Sequence, residues 1–408
     1  MLLKSIIKLT LKLKSQVVKG IEMVEDELHI HLLSRKGSFP ICSGCMKKRS
    51  TYDTLDERRW KHVPLWGIPV YLYYRPRRAS CPECGVTVEY MSWNHGKSRL
   101  SSAFIGYIGS WARMLSWKEV ASLVGIHWNT VKTAVKHCVE YGLEQRDTSG
   151  VRFIGIDELS RRKGHTYVTN VYDLETGKLL WTGEGREKAT LERFFDEFGK
   201  EATAKLKGIC CDLWRAYLDV VKARAPHAYL VLDKFHIVRH LMEAVDSVRK
   251  EEVREHSNEP IELLKDTKYI FLKNPENLTP DQESRLSCLE KLNLKITRAY
   301  LLKESFRKFW EYSTIGNAKR FLKKWFWWAT HSRLKPFRDF AWMLRNHEQD
   351  LMNYFKFRIT TAVVEGYNRK AKVVSTRAYG YRTFSIFRLA LYHVLGGLPM
   401  PEVPHNFI

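Results

Sequence analysis

The amino-acid sequence predicts a multidomain α+β protein: a cysteine-bearing β module, a pair of packed helices, and an α/β core interrupted by an all-α insertion. Three observations carry that prediction. Two Cys-x-x-Cys pairs, Cys42/Cys45 and Cys81/Cys84, bracket strand-like sequence near the N-terminus. Two short apolar runs, Val151–Glu158 and Leu206–Asp212, each deliver an aspartate where a buried strand would reach the edge of a sheet. Residues 237–360 then read as helical, broken by a loop from Asn274 to Pro280, and are rich in Lys, Arg and aromatic side chains.

Composition sets the bounds. A chain of 408 residues exceeds one ordinary domain. With 44% hydrophobic and 12% aromatic residues it can bury large cores, which excludes extended disorder. The 68 Lys and Arg against 45 Asp and Glu give a formal charge of +23. That excess is spread along the chain, as an extended polyanion-binding surface requires. Lysines interrupt the apolar start, Met1 to Leu9, and no small-residue cleavage site follows, so no signal peptide is expected. No apolar run approaches the length of about 18 residues that a membrane span needs, and a cytoplasmic location is expected. In that compartment eight cysteines argue for metal before disulfides.

Along the chain, Val17, Ile21, Val24, Leu28, Ile30 and Leu32 alternate loosely across Glu25-Asp26, the pattern of a hairpin. In Cys42-Ser43-Gly44-Cys45 and Cys81-Pro82-Glu83-Cys84-Gly85, the two-residue gap lets both thiolates of a pair reach one tetrahedral ion. Four cysteines leave no open coordination position, so a structural Zn²⁺ is expected. Trp60 to Tyr74 reads as a hairpin turning at Trp66-Gly67 between the two pairs. Residues 99–146 read as helices. Within them Ala121, Gly125, Ile126 and Val131 have helix-turn-helix spacing: a small residue at the crossing, a left-handed turn residue, then apolar anchors for the second helix. That helix should begin near His127 and present His127, Asn129, Thr130, Lys132 and Thr133 to a DNA major groove.

From residue 151 the pattern becomes strands: the Asp157 run, 166–174, 178–183, a helix over 187–200, the Asp212 run, a helix over 213–225, and Ala228–Leu232 entering Asp233. Three strands in meander, then helix, strand, helix, strand, is the order of a ribonuclease-H-like core. In that order the first and fourth strands are neighbours, which brings Asp157 and Asp212 together. Glu158 should point to the opposite face of its strand. A third carboxylate, Glu365, lies in a basic helical stretch with Asn368, Arg369, Lys370 and Lys372. Two strand-end aspartates and a helix-borne glutamate suit two Mg²⁺ ions about 3.5–4 Å apart that clamp a reacting phosphate. Within the helical insertion, Phe306, Phe309, Trp310, Trp325, Phe326, Trp327, Trp328 and Trp342 are read as core in the main. The interleaved Lys319, Arg320, Lys323, Lys324, Arg333, Lys335 and Arg338 could meet phosphate.

Taken together these residues resemble the bacterial insertion-sequence transposases of the ISL-three family, which carry an Asp-Asp-Glu (DDE) triad. The resemblance runs from the cysteine pairs nearly to the end. It rests on Ile156-Asp157-Glu158 with Arg162-Lys163-Gly164-His165, Asp212-Leu213-Trp214 with Tyr217, Asp233-Lys234-Phe235-His236, and Glu365 to Lys372. It implies Asp157, Asp212 and Glu365 as the triad and two Mg²⁺ as cofactors, with Mn²⁺ able to substitute. Asp233 and His236 match an accessory Asp-x-x-His signature of related transposases. The expected domains are a zinc-binding β module over 1–95, a helix-turn-helix over 96–149, the core's first part over 150–238, the insertion over 239–357, and the core's catalytic and C-terminal helices over 358–408.

The expected activity is metal-dependent hydrolysis at the ends of an insertion sequence, followed by joining of the freed 3′-hydroxyls to target DNA. The expected partners are double-stranded terminal inverted repeats and target DNA, with a homodimer or larger synaptic complex handling both ends. Binding would place the protein at the nucleoid. The competing readings are a transposase-derived DNA-binding regulator without nuclease activity and a structure-selective nuclease that never joins.

Overall fold

The computed structural model describes residues 2–11, 13, 15–162, 166–256, 264–292, 294–360 and 362–401; Lys163, Gly164 and His165 of the sequence motif lie outside them. Two compact units emerge, Met1–Asp147 with Ala371–Ile408, and Thr148–Lys370.

In the first unit α1 (Leu2–Thr10) precedes a hairpin of β1 (Gln16–Val24) and β2 (Glu27–Ser34). Glu25 and Asp26 turn it at φ 45° and 62°, the left-handed pair that a two-residue hairpin turn demands. Five strands follow: β3 (Ser50–Thr54), β4 (Arg58–Leu65), β5 (Ile68–Tyr74), β6 (Arg77–Cys81) and β7 (Gly85–Val88). The expected β4–β5 hairpin joins the first one edge to edge, in the order β1-β2-β5-β4. Alternation buries Leu28, Ile30, Leu32, Val70, Leu72 and Tyr74 on one face of that sheet, against Trp60 and Trp93. The separate sheet β3-β6-β7 carries the second cysteine pair at its end.

Three helices complete the N-terminal part: α2 (Ser102–Met114), α3 (Trp117–Val124) and α4 (Trp128–Glu144). Ser116 and Glu119 form a reciprocal capping box at the start of α3. Gly125, at φ 61°, ends it in the left-handed conformation, and His127 caps α4. Gly109 brings α2 against α4: a Cβ there would stand 2.7 Å from the Cys138 sulfur.

The second unit is built on β8 (Phe153–Arg162), β9 (Thr166–Asp173), β10 (Leu179–Glu184), α5 (Lys188–Phe198), α6 (Lys200–Ala204), β11 (Gly208–Cys211), α7 (Arg215–Arg224), β12 (Tyr229–Leu232) and α8 (Lys234–Glu255). The sheet order is β10-β9-β8-β11-β12, so the first and fourth strands are neighbours, as the chain order predicts. β8 to β10 form an antiparallel meander, while β11 runs parallel to both β8 and β12. All four residues of β11 are buried, which is why this strand reads as a continuous apolar run.

The insertion contains α9 (Lys268–Leu272), α10 (Pro280–Glu290), α11 (Lys295–Arg307), α12 (Ile315–His331), α13 (Lys335–Arg345), α14 (Glu348–Met352) and α15 (Tyr354–Phe357). Buried Glu252 of α8 accepts hydrogen bonds from the backbone N–H groups of Lys295 and Ile296, tying the first turn of α11 to the core helix. Phe306, Phe309, Trp310, Trp325 and Phe326 are buried as expected, whereas Trp327, Trp328 and Trp342 face solvent.

Last come α16 (Ala362–Arg377) and α17 (Phe384–Leu395). Here the structure departs from the expected boundary, which gave all of 358–408 to the core. Residues from Ala371 onward belong to the first unit. The buried His393 imidazole donates to the Gly109 carbonyl at 2.7 Å, and Arg113 donates to the Leu398 carbonyl at 2.8 Å. Apolar Ala390, Leu391 and Leu395 of α17 are buried, which fixes the tail by its hydrophobic face. No helix among the described residues is long and apolar enough to cross a membrane.

Candidate active site and metal centre

The sulfur atoms of Cys42, Cys45, Cys81 and Cys84 all lie within 4.8 Å of one another. Among the described residues they are the only group of three or more ligand-type side chains that closes this tightly. Gly44 makes room, since a Cβ at that position would stand 2.8 Å from the Cys84 sulfur. The Cys42 thiol is lowered to about 6 by the Thr87 hydroxyl and then by backbone N–H groups of the turn, so it favours the thiolate that ligates metal. Four converging sulfurs with no further ligand fit a closed tetrahedral zinc site of structural type.

The carboxylates of the second unit are placed by strand register. Cys210 pairs with Gly155 and Cys211 with Leu232 in the two parallel ladders. Continuing both ladders sets Asp212, just past the end of β11, between Asp157 and Asp233. Asp233 likewise follows the end of β12, whereas Asp157 lies in the middle of β8, which runs on beside β9 to Arg162 and so does not end at the aspartate as expected. Asp212 accepts from the backbone N–H of Leu213 at 2.6 Å. The Arg239 guanidinium stands 3.6 Å from the same carboxylate and His236 Nε2 stands 3.7 Å from it. Asp233 caps α8 through the Phe235 N–H, and its other oxygen lies 2.8 Å from His236 Nδ1. Burial pulls the His236 pKa down, but Asp233 and the charges of Asp212 and Asp157 outweigh it and the net shift is upward.

Asp233 is the most enclosed of the three, at 1% exposed, and Asp157 is half-buried. The Asp157 Oδ1 accepts from the Glu158 N–H at 2.8 Å, and its Oδ2 accepts from the Asn368 amide at 2.6 Å. Burial pushes its carboxyl up to about 6, and the neighbouring charges of Asp233 and Asp212 add to the rise. A buried, mutually repelling set of hard oxygen donors fits a divalent cation, whose charge would restore the ionised form. Glu158, on the other face of β8, has its pKa raised by burial, with the Tyr217 hydroxyl and Arg186 opposing the rise.

Glu365 lies on α16 one turn before Asn368, with its carboxylate 2.7 Å from Arg369. The link from its helix to the aspartates is the hydrogen bond that Asn368 donates to Asp157. Asn368 itself corrects an expectation. Read as a DNA contact, it is instead 7% exposed, and its Oδ1 accepts from Asn170 at 3.2 Å and Tyr172 at 3.0 Å. Its polar atoms are committed to β8 and β9. Arg369, Lys370 and Lys372 are exposed. In the first unit His127, Asn129 and Thr133 are exposed on α4, and Thr130 and Lys132 are half-buried. Three neighbours of the site escaped sequence reading: Arg239, Asn170 and Arg186, the last stacked between Tyr167 at 4.3 Å and Trp214 at 5.1 Å. Arg239 had one available signal, since it lies one helical turn beyond His236 on the same face.

Comparison with known proteins gives this arrangement its context. A family model described as transposase, of the ISL-three DDE group, matches residues 154–391, and one described as the zinc-finger of transposase IS204/IS1001/IS1096/IS1165 matches residues 38–84. The chain is 29% identical to the transposases for insertion sequence element IS1557 from two strains of Mycobacterium tuberculosis, over 96% of its own length and 96% of theirs. It is 27% identical to the transposase for insertion sequence element IS1001 of Bordetella parapertussis, over 86% of its own length and 87% of the relative's. The first match spans more than half of the chain and takes in every carboxylate just described, and the chain belongs to the ISL-three family of insertion-sequence DDE transposases.

Proposed function

We propose that this transposase cleaves and joins DNA at one site composed of Asp157, Asp212 and Glu365, set in a ribonuclease-H-like core. The observation that carries the reading is the parallel register of β8 and β11, with Asn368 of α16 bonded to Asp157. It brings Asp157 of β8 beside Asp212 at the end of β11, and the Asn368 bond draws the glutamate-bearing helix to the same place. When bound there, two Mg²⁺ ions would supply charge neutralisation at the phosphate and a nucleophile at neutral pH. Asp157 and Asp212 would hold them, and Glu365 would complete the second position after leaving Arg369. Asp233 orients His236, and His236 with Arg239 balances the charge on Asp212. Asn368 holds Asp157 in a single orientation.

The four-cysteine module and the α3–α4 pair, read as a helix-turn-helix, would recognise the terminal inverted repeats. His127, Asn129, Thr130, Lys132 and Thr133 would meet base edges and phosphates from the start of α4. Arg369, Lys370 and Lys372 would meet phosphate along α16. Two ends must be processed together, so the working form is a dimer or larger synaptic assembly, associated with the nucleoid when bound.

The test is cleavage and strand transfer on labelled duplexes taken from both flanks of the gene, with wild type and Asp212→Asn compared in Mg²⁺ and Mn²⁺. Nicking at the repeat boundary with joined products, lost in the variant, is the expected outcome. Specific, salt-sensitive binding without cleavage by wild type would reassign the protein as a DNA-binding regulator. Cleavage without joining would reassign it as a nuclease.

A further inference from the structure

The helical insertion has a solvent-facing side that neither the zinc module nor the carboxylate site accounts for. Between Ile315 and Arg345, eight Lys and Arg residues stand against one acidic residue, Asp339. Asp339 is taken up by Lys335 at 2.6 Å, so the surplus is positive throughout. On α12 the exposed Arg320, Lys324, Trp327 and His331 recur at helical spacing and share one face. On α13 the exposed Lys335, Arg338, Trp342 and Arg345 do the same. Each stripe therefore joins cations to an open indole.

The indoles are not strays from the core. Trp325 and Phe326 fill the interior of α12, while Trp327 is 65% exposed and Trp342 is 49% exposed. Both are held ready by neighbours: His331 stacks on Trp327 with ring centres 4.6 Å apart, and the Arg345 guanidinium lies 5.2 Å from the Trp342 ring. A large apolar surface kept in water beside concentrated cations marks a binding face. The partner that matches both features is nucleic acid, whose phosphates answer the cations and whose bases offer π-faces to aromatic rings.

We propose that the exposed faces of α12 and α13 grip DNA, with Arg320, Lys323, Lys324, Arg338 and Arg345 on phosphates and with Trp327 and Trp342 stacking on bases that cleavage leaves unpaired. This rests on the chain's being a transposase and not on which carboxylates cut.

The experiment is a salt titration of binding by the full-length protein to two labelled end duplexes, one with a paired flank and one with a single-stranded flank. Lys323→Gln/Lys324→Gln/Arg338→Gln should weaken binding to both by about 10-fold or more and flatten the log–log salt slope by about 2 to 3. Trp327→Ala/Trp342→Ala should cost about 10- to 100-fold on the unpaired flank and little on the paired one, with Phe at both positions restoring most of the loss. All these residues are exposed, so the variants should melt as wild type does. Unchanged affinity and slope would overturn the proposal. So would a variant that alters the oligomeric state without DNA, because the face would then be a contact between copies. Asp212→Asn should bind as wild type does, so a wrong active-site assignment shows up in cleavage and leaves this readout intact.

Discussion

At Asp157 two donors fix the carboxylate from opposite oxygens, the Glu158 N–H on Oδ1 and the Asn368 amide on Oδ2. Asn170 and Tyr172 donate to the carbonyl oxygen of the Asn368 side chain, so its amide cannot flip without losing three bonds. For a carboxylate that holds metal, the role proposed for Asp157, losing such an outer partner costs about 10- to 100-fold in activity or metal affinity. Asn368→Ala is therefore expected to nick end duplexes that much more slowly while its Kd for the same DNA stays within about 2-fold of wild type. Asn368→Asp should do worse, since it puts a like charge against Asp157. An unchanged nicking rate in the Ala variant would remove Asn368 from the site. In the sequence Asp157 and Asp212 were legible because each ends an apolar run and strand order pairs the runs. Asn368 was not: Asn170 lies 198 residues away and Asp157 lies 211 away, so a local view saw only a polar residue among cations and assigned it to DNA.

Among the elements, α16 depends on two glycines of the sheet below it. A Cβ at Gly155 would stand 2.7 Å from both Leu174 Cδ2 and Val364 Cγ2. Leucine can swing aside, but the β-branched valine has little χ1 freedom in a helix, so α16 itself must yield. At Gly177, φ is 72° and a Cβ would meet the Tyr367 ring at 2.3 Å, so the turn between β9 and β10 and the same helix are fitted to each other. Gly155→Ala is expected to cost about 1–3 kcal/mol of stability through overpacking. By shifting the helix that bears Glu365 and Asn368, it should also slow cleavage more than it lowers the melting temperature would suggest. Nicking rates and thermal melts on one preparation check this; a destabilised protein with full activity at low temperature would refute the helix-shift account. The same reasoning explains which aromatics the sequence could not sort. In Trp325-Phe326-Trp327-Trp328 a period of 3.6 puts two rings inward and two outward, and only the position of α11 decides which pair is buried.

On the scale of the whole chain, the second unit lies between two segments that fold together, so the first unit is incomplete until residues beyond Ala371 are made. Gly142 shows how close the fit is, since a Cβ there would meet the Leu398 Cβ at 2.6 Å and the Pro399 carbonyl at 2.8 Å. The fragment 1–147 should therefore keep its zinc-bound β module but expose the apolar faces of α2 and α4. Joining 371–401 to it through a flexible Gly/Ser linker should restore one cooperative melt. His393 supplies an internal check on whether the tail has docked. Burial lowers its pKa from 6.5 to about 4 in the folded chain, where the neutral ring donates to Gly109. A histidine shifted down on folding contributes stability that is present above its free value and is lost as pH falls toward its folded value. The joined fragment should accordingly lose up to about 3 kcal/mol between pH 6.5 and 4 from this group. His393→Gln should flatten that part of the pH profile, because a neutral amide cannot take up the proton. Urea melts at a series of pH values measure both effects. If 1–147 alone melts at the same denaturant concentration as the joined form, with the same pH profile, then the C-terminal helix is an accessory of the first unit and not part of its core.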